Sequence, residues 1–102
     1  MFARLARYDI GPDRLEDAVS SFAEVGGGLA GLDGFERGYI LVDEDEGLLL
    51  TLTLWRSRLA LEASDTRASL LRQRAVKAAG GTVQSVHCYE VRSELGDGSQ
   101  LH

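Results

Sequence analysis

From Phe2 to Ile10 apolar and polar residues alternate loosely, the two-residue period of a strand with one face on a core. Gly11-Pro12 ends that pattern. Pro12 suits the first position of a helix, where its missing N–H would have no partner anyway. Asp13, Glu16 and Asp17 follow, placed where a helix dipole favours negative charge. Leu15, Ala18, Val19 and Phe22 recur at helical spacing and form one apolar stripe. The run Gly26-Gly27-Gly28 weakens the helix, since each glycine costs about 1 kcal/mol relative to alanine. A short segment from Leu29 to Leu32 then leads to a turn at Asp33-Gly34.

Phe35 to Val42 reads as a second strand, Asp43 to Gly47 as a turn, and Leu48 to Trp55 as a third strand. Leu48, Leu50, Leu52 and Leu54 share one face of that strand, and Leu49, Thr51, Thr53 and Trp55 share the other. Neither face carries a charge, whereas an antiparallel sheet usually shows one charged, wetted face. Both faces are therefore expected to be covered. One chain of this length has helix enough for one of them, and a second copy is the expected cover for the other.

After Trp55 the period turns helical. Ser57 is placed to cap a short helix through Ala63, and Ser64 or Asp65 to cap a longer one with Ala68, Leu71, Ala75 and Ala78 inward. Gly80-Gly81 stops it, and Thr82 to Val91 alternates as a last strand. The order is βαββαβ, an α+β fold with an antiparallel sheet.

The 102 residues suit one domain, which we place at 1–92, with a polar and mobile tail over 93–102. A net charge of −5 repels phosphate, so nucleic acid is not an expected partner. Arg67, Arg72, Arg74 and Lys77 are spaced for the wet side of a helix, which is favoured over an anion-binding patch. The single cysteine, Cys88, allows no intrachain disulfide and no cysteine metal cluster. Small secreted domains usually rely on bridges, so a cytoplasmic location is expected. The N-terminus has Arg4 and Arg7 inside its apolar stretch and does not read as a signal peptide. No apolar run reaches the roughly 20 residues of a membrane span.

Four motifs invite chemistry. Gly26-Gly27-Gly28-Leu29-Ala30-Gly31 matches G-x-G-x-x-G, but it follows a helix and leads towards a strand, the reverse of a dinucleotide fingerprint. A kinked helix end is the better reading, with glycines that let a ligand approach the backbone. The acidic run Asp43 to Glu46 lacks the spaced ligands of a calcium loop and reads as a solvated hairpin tip. In His87-Cys88-Tyr89 neighbours on a strand point to opposite faces, so His87 and Cys88 form no local pair. Cys88 reads as a small core residue, and His87 either as a paired structural histidine or as part of a ligand site. Trp55, at the entry to a helix, is either a packing residue or a flat wall with one N–H donor for an aromatic ligand. No metal site is expected.

The chain as a whole, over about residues 2–91, resembles the antibiotic biosynthesis monooxygenase (ABM) domains of the dimeric α+β barrel superfamily. The resemblance is carried by the order of elements, by Asp33-Gly34-Phe35-Glu36-Arg37-Gly38-Tyr39 opening the second strand, and by Leu52-Thr53-Leu54-Trp55-Arg56-Ser57 ending the third. It implies a ferredoxin-like protomer, a homodimer whose sheets pair into a barrel, and a ligand held between sheet and helices. Some such enzymes oxidise anthrones or quinols with O₂ and no cofactor, and others degrade haem. Trp55 matches the tryptophan of both types. The haem-degrading type adds an asparagine on strand one, near Ala6 here, and a histidine on a helical segment that has none between Ser57 and Ala79. The anthrone-oxidising type adds an asparagine where Thr51 stands.

Two functions follow. One is a cofactor-independent monooxygenase on an activated aromatic, with Trp55, Thr51, Thr53 and Phe22 binding substrate. His87, Tyr8, Tyr39 and Tyr89 are then the candidates to move a proton. The other is a binding or structural dimer of the same fold without catalysis. The monooxygenase is the first reading, and the missing polar partners around Trp55 support the alternative. The expected partners are a second copy and a small aromatic ligand, with no nucleic acid and no membrane, and no cofactor is expected.

Overall fold

The computed structural model describes residues 1–96. β1 (Phe2–Asp9) runs into a 3-10 turn at Pro12–Arg14 and then α1 (Leu15–Gly26). A second 3-10 turn, Gly27–Leu29, continues the axis before β2 (Phe35–Asp43) and β3 (Leu48–Trp55). α2 (Arg58–Ala63), α3 (Asp65–Ala79) and β4 (Thr82–Glu90) complete the chain. The four strands form one sheet in the order β2-β3-β1-β4, with every pairing antiparallel. The βαββαβ order is the one expected from the pattern, and the sheet has the ferredoxin-like arrangement that the resemblance implied.

Register fixes the faces. Arg4, Ala6 and Tyr8 of β1 stand opposite Thr53, Thr51 and Leu49 of β3, and this face meets the helices. Its core joins Ala6, Tyr8 and Leu49 to Leu15, Ala18 and Phe22 of α1 and to Ala75 and Ala79 of α3. The other face carries Ala3, Leu5 and Arg7 of β1, Leu50, Leu52 and Leu54 of β3, and Arg37, Tyr39 and Leu41 of β2. No helix of this chain lies over it. Leu41 is left 44% exposed there, and with the three β3 leucines it gives this face more apolar surface than a solvated sheet face usually shows, despite Arg7 and Arg37.

Several local features differ from the sequence pattern. Pro12 starts a 3-10 turn rather than the α-helix itself, and α1 begins three residues later. The inner stripe of α3 is Ala68, Leu71, Ala75 and Ala79, while Ala78 is exposed; a step of four from Ala75 keeps the row on the core. Ser57 caps α2 as expected, accepting from the Ala60 N–H at 3.1 Å. Ser64 makes no side-chain cap to α3. Its hydroxyl donates instead to the Leu61 carbonyl at 2.7 Å. At Gly34 the backbone takes φ +83° and an added Cβ would collide with that of Ala60, so glycine is required for both conformation and space. The expected mobile tail falls, for residues 97–102, outside the described residues.

Candidate active site

A cavity of about 450 Å³ lies between the sheet and helices α1 and α3, a volume suited to a small organic ligand. Its sheet wall is built from Tyr8 on β1, Thr51 and Thr53 on β3, and Ile40 on β2. Its helical wall comes from Phe22 on α1 and from Ala68, Leu71 and Ala75 on α3. The two-residue strand period brings Thr51 and Thr53 to the same side, and the four-residue helical step brings Ala68 and Ala75 with Leu71 to face them. Tyr8 packs edge-on against Phe22, ring centroids 4.6 Å apart at 60°. The wall is thus mainly apolar and aromatic, with hydroxyls at a few points.

Of the residues singled out in the sequence for substrate, Thr51, Thr53 and Phe22 border the cavity. Trp55 does not, and its expected place in substrate binding is corrected: the residue has no exposed surface. Trp55 is on the same strand face as Thr53, but at the strand end, where Phe35 opens β2 beside it. The two rings meet edge to face, centroids 5.3 Å apart at 86°, and the Arg4 guanidinium lies 5.8 Å from the indole centroid. The indole N–H donates to Thr53 Oγ1 at 3.0 Å. Trp55 therefore stands behind the wall and holds Thr53, which is in it.

The proton-transfer candidates separate by face. Tyr8 is in the cavity wall. His87 and Tyr89 pair with Leu5 and Ala3, which puts both on the sheet face away from the helices, their rings 6.3 Å apart. They are corrected as pocket residues: the alternation that separates His87 from Cys88 sends His87 to the wrong side. Tyr39 borders the cavity at the sheet edge, but it stands opposite Leu52. Its side chain belongs to the outer face, where its hydroxyl accepts from Arg37 at 3.5 Å. Cys88 is on the helix side opposite Arg4 yet exposed, because β4 is an edge strand; it is no core residue.

Two cavity residues escaped the sequence reading. Arg4, expected only as a charge in an apolar stretch, is 4% exposed. Its Nη2 donates to the Leu61 carbonyl at 3.0 Å and meets Asp65 Oδ1 at 3.3 Å, and its Nη1 donates to Ser64 Oγ at 3.2 Å. Arg72, expected on the wet side of α3, is half-buried and borders the cavity. The signal for it was present: Arg72 is four residues after Ala68 and three before Ala75, on the inner stripe itself. For Arg4 the signal was the strand period, which places it on one face with Ala6 and Tyr8.

No family model matches the chain, and no curated protein matches it. Solved structures do. A Deinococcus radiodurans protein assigned to the antibiotic biosynthesis monooxygenases superposes with a TM-score of 0.75 at 13% identity, over 95% of this chain and 98% of that one. SnoaB, a cofactor-independent oxygenase from Streptomyces nogalater, superposes with a TM-score of 0.69 at 19% identity, over 94% and 97%. Rv0793 from Mycobacterium tuberculosis gives 0.66 at 20% identity, over 93% and 98%. The chain has the protomer fold of these structures through nearly its whole length. At these identities the likeness establishes the fold, and the activity has to be argued from the site.

Proposed function

We propose that this protein is a cofactor-independent monooxygenase acting on a flat, activated aromatic of the anthrone or quinol kind. The observation that carries the reading is the cavity between sheet and helices, apolar and aromatic on most sides, with hydroxyls at Tyr8, Thr51 and Thr53, in a fold shared with a cofactor-independent oxygenase. Such a reaction asks little machinery of the protein. An anthrone methylene loses a proton to give an electron-rich anion, which reduces O₂. One oxygen atom ends as the new carbonyl, the other leaves as water, and the methylene's two hydrogens leave in that water.

The protein's part is to orient the ring, exclude water and stabilise the anion. Phe22 and Leu71 supply the apolar clamp. Thr53 is positioned by Trp55, and the Tyr8 hydroxyl is the proton-relay candidate that borders the cavity and belongs to its side of the sheet. We place the ABM-like domain at residues 1–92 and the site of action in the cytoplasm. The working unit in this proposal is a homodimer, in which a second copy covers the outer sheet face with Leu41, Leu50, Leu52 and Leu54.

Oxygen uptake on mixing the protein with dithranol, an anthrone delivered from dimethyl sulfoxide, tests the reading. Catalysed uptake with formation of the quinone, reduced in Tyr8→Phe, is the expected result. Uptake no faster than the protein-free rate would leave the second reading, a non-catalytic binding dimer. That reading is favoured by one feature, the lack of any carboxylate or imidazole among the described residues that border the cavity.

A further inference from the structure

The charges around the cavity are one-sided. Arg4 and Arg72 both border it, and no Asp or Glu does among the described residues. This runs against the composition, since the chain holds 16 acidic residues to 11 basic ones. A guanidinium cannot shed its proton at ordinary pH, so both positive charges are permanent. Burying charge is expensive unless it is paired, and the pairing found here is weak. Arg4, 4% exposed, has one carboxylate neighbour, Asp65, whose side chain is 77% exposed; water screens that partner and leaves much of the Arg4 charge uncompensated on the cavity side. Arg72 has no carboxylate within salt-bridge distance among the described residues. The Nε atoms of both arginines are buried without a hydrogen-bond partner, and an orphaned donor is a costly thing for a fold to retain.

The hydroxyls agree in polarity with the arginines. Thr53 Oγ1 accepts the Trp55 indole N–H at 3.0 Å, which leaves the hydroxyl's own hydrogen to donate. A wall of guanidinium N–H and hydroxyl O–H asks for an acceptor, and an anionic one. The contacts of Arg4 with Ser64, Leu61 and Asp65 account for its Nη groups as a strap between β1 and the α2–α3 junction. They leave its Nε unused and do not involve Arg72.

We propose that the ligand of this cavity carries a carboxylate on its flat ring system, and that Arg72, supported by the field of Arg4, is the residue that selects it. The proposal deepens the aromatic-pocket reading above and rests on it. Arg72 comes from the helical wall and is half-buried, so its fork is placed to meet a carboxylate edge-on, while Phe22, Leu71 and Ile40 take the ring. Arg4 lies deeper and acts at short range through charge.

The test is calorimetric titration of the full chain with anthraquinone-2-carboxylate and with its neutral isostere, anthraquinone-2-carboxamide. We expect the acid to bind at least tenfold more tightly, the size of one hydrogen bond to a charged group. Arg72→Gln should remove most of that preference and leave the amide's affinity nearly unchanged. Arg72→Lys, which keeps the charge and loses the fork, should fall between. Circular dichroism checks that each variant is folded, and the comparison of the two ligands on the unaltered protein stands without any variant. Equal affinity for acid and amide overturns the proposal and leaves the aromatic pocket standing. A preference that survives in Arg72→Gln overturns the role of Arg72. Failure of both ligands to bind overturns the aromatic-pocket reading itself, and this proposal with it.

Discussion

The indole N–H of Trp55 donates to the hydroxyl of Thr53 at 3.0 Å, two residues back on the same face of β3. The bond ties a fully buried ring to a residue of the cavity wall. Thr53→Val keeps the shape and removes the acceptor, so the indole N–H is left buried and unpaired, at a loss of about 1–3 kcal/mol. Thr53→Ser keeps the acceptor and should lose much less. Urea unfolding midpoints compare the two, and equal losses would show that the bond carries none of the difference.

Enclosure decides what Trp55 does for a ligand. A ring with no exposed surface gives a ligand no face to stack on, so Trp55→Phe should act first on stability, lowering it by roughly 1–3 kcal/mol through lost contact area and the lost bond. Phe22→Ala, which removes a ring from the wall, should weaken binding of flat aromatics more than Trp55→Phe does. Calorimetry with one aromatic probe on both variants decides. A larger loss of affinity in Trp55→Phe would overturn this ranking and put Trp55, directly or through Thr53, ahead of Phe22 in binding.

β3 separates two kinds of failure. Leu49 is fully buried against the helices and Leu52 is half-buried on the outer face, so the same change to aspartate tests different things. Leu49→Asp places an unpaired charge in the core and should abolish the fold. Leu52→Asp should leave the fold intact and convert a dimer to a monomer. Light scattering at micromolar concentration and circular dichroism read the two effects. A monomeric unaltered protein removes the second copy from the proposed unit, and an unfolded Leu52→Asp chain removes the distinction between the faces.

Period and turn residues were enough for the elements. The uncharged run of leucines and threonines from Leu48 to Trp55, the glycines at 34 and 80, and the Ser57 cap are local signals, and each places an element boundary within a residue or two. Which face of β3 meets the helices was not legible, because both faces are uncharged and the choice is made by β1 through the pairs Ala6↔Thr51 and Tyr8↔Leu49. The site suffered from the same gap. Tyr8, Thr51, Thr53 and Phe22 reached the cavity because they belong to that face. His87 and Tyr89 missed it because β4 pairs them with Leu5 and Ala3. Trp55 was misplaced for another reason: whether an aromatic at a strand end lines a pocket or is covered depends on a residue distant in sequence, here Phe35. The arginines were passed over because charge suggests solvent, although Arg4 and Arg72 both sit on the inward period of their elements.

The glycines at the end of α1 are free of any structural need to be glycine. Gly26 and Gly27 have ordinary right-handed helical angles, φ −63° and −56°, and a Cβ added at either would meet nothing within 4 Å. Alanine at such positions should stabilise the fold by about 0.5–1 kcal/mol each, by restricting the unfolded chain. Both residues border the cavity, so the same methyl groups would take up ligand space or stiffen the rim through which a flat molecule passes. Gly26→Ala and Gly27→Ala should therefore raise the unfolding midpoint and weaken binding of the aromatic probe, a trade that neither packing nor backbone geometry of the free protein accounts for. Unfolding curves and calorimetry on the same preparations check both halves. If stability rises and affinity is unchanged, these glycines have no part in admitting or holding the ligand.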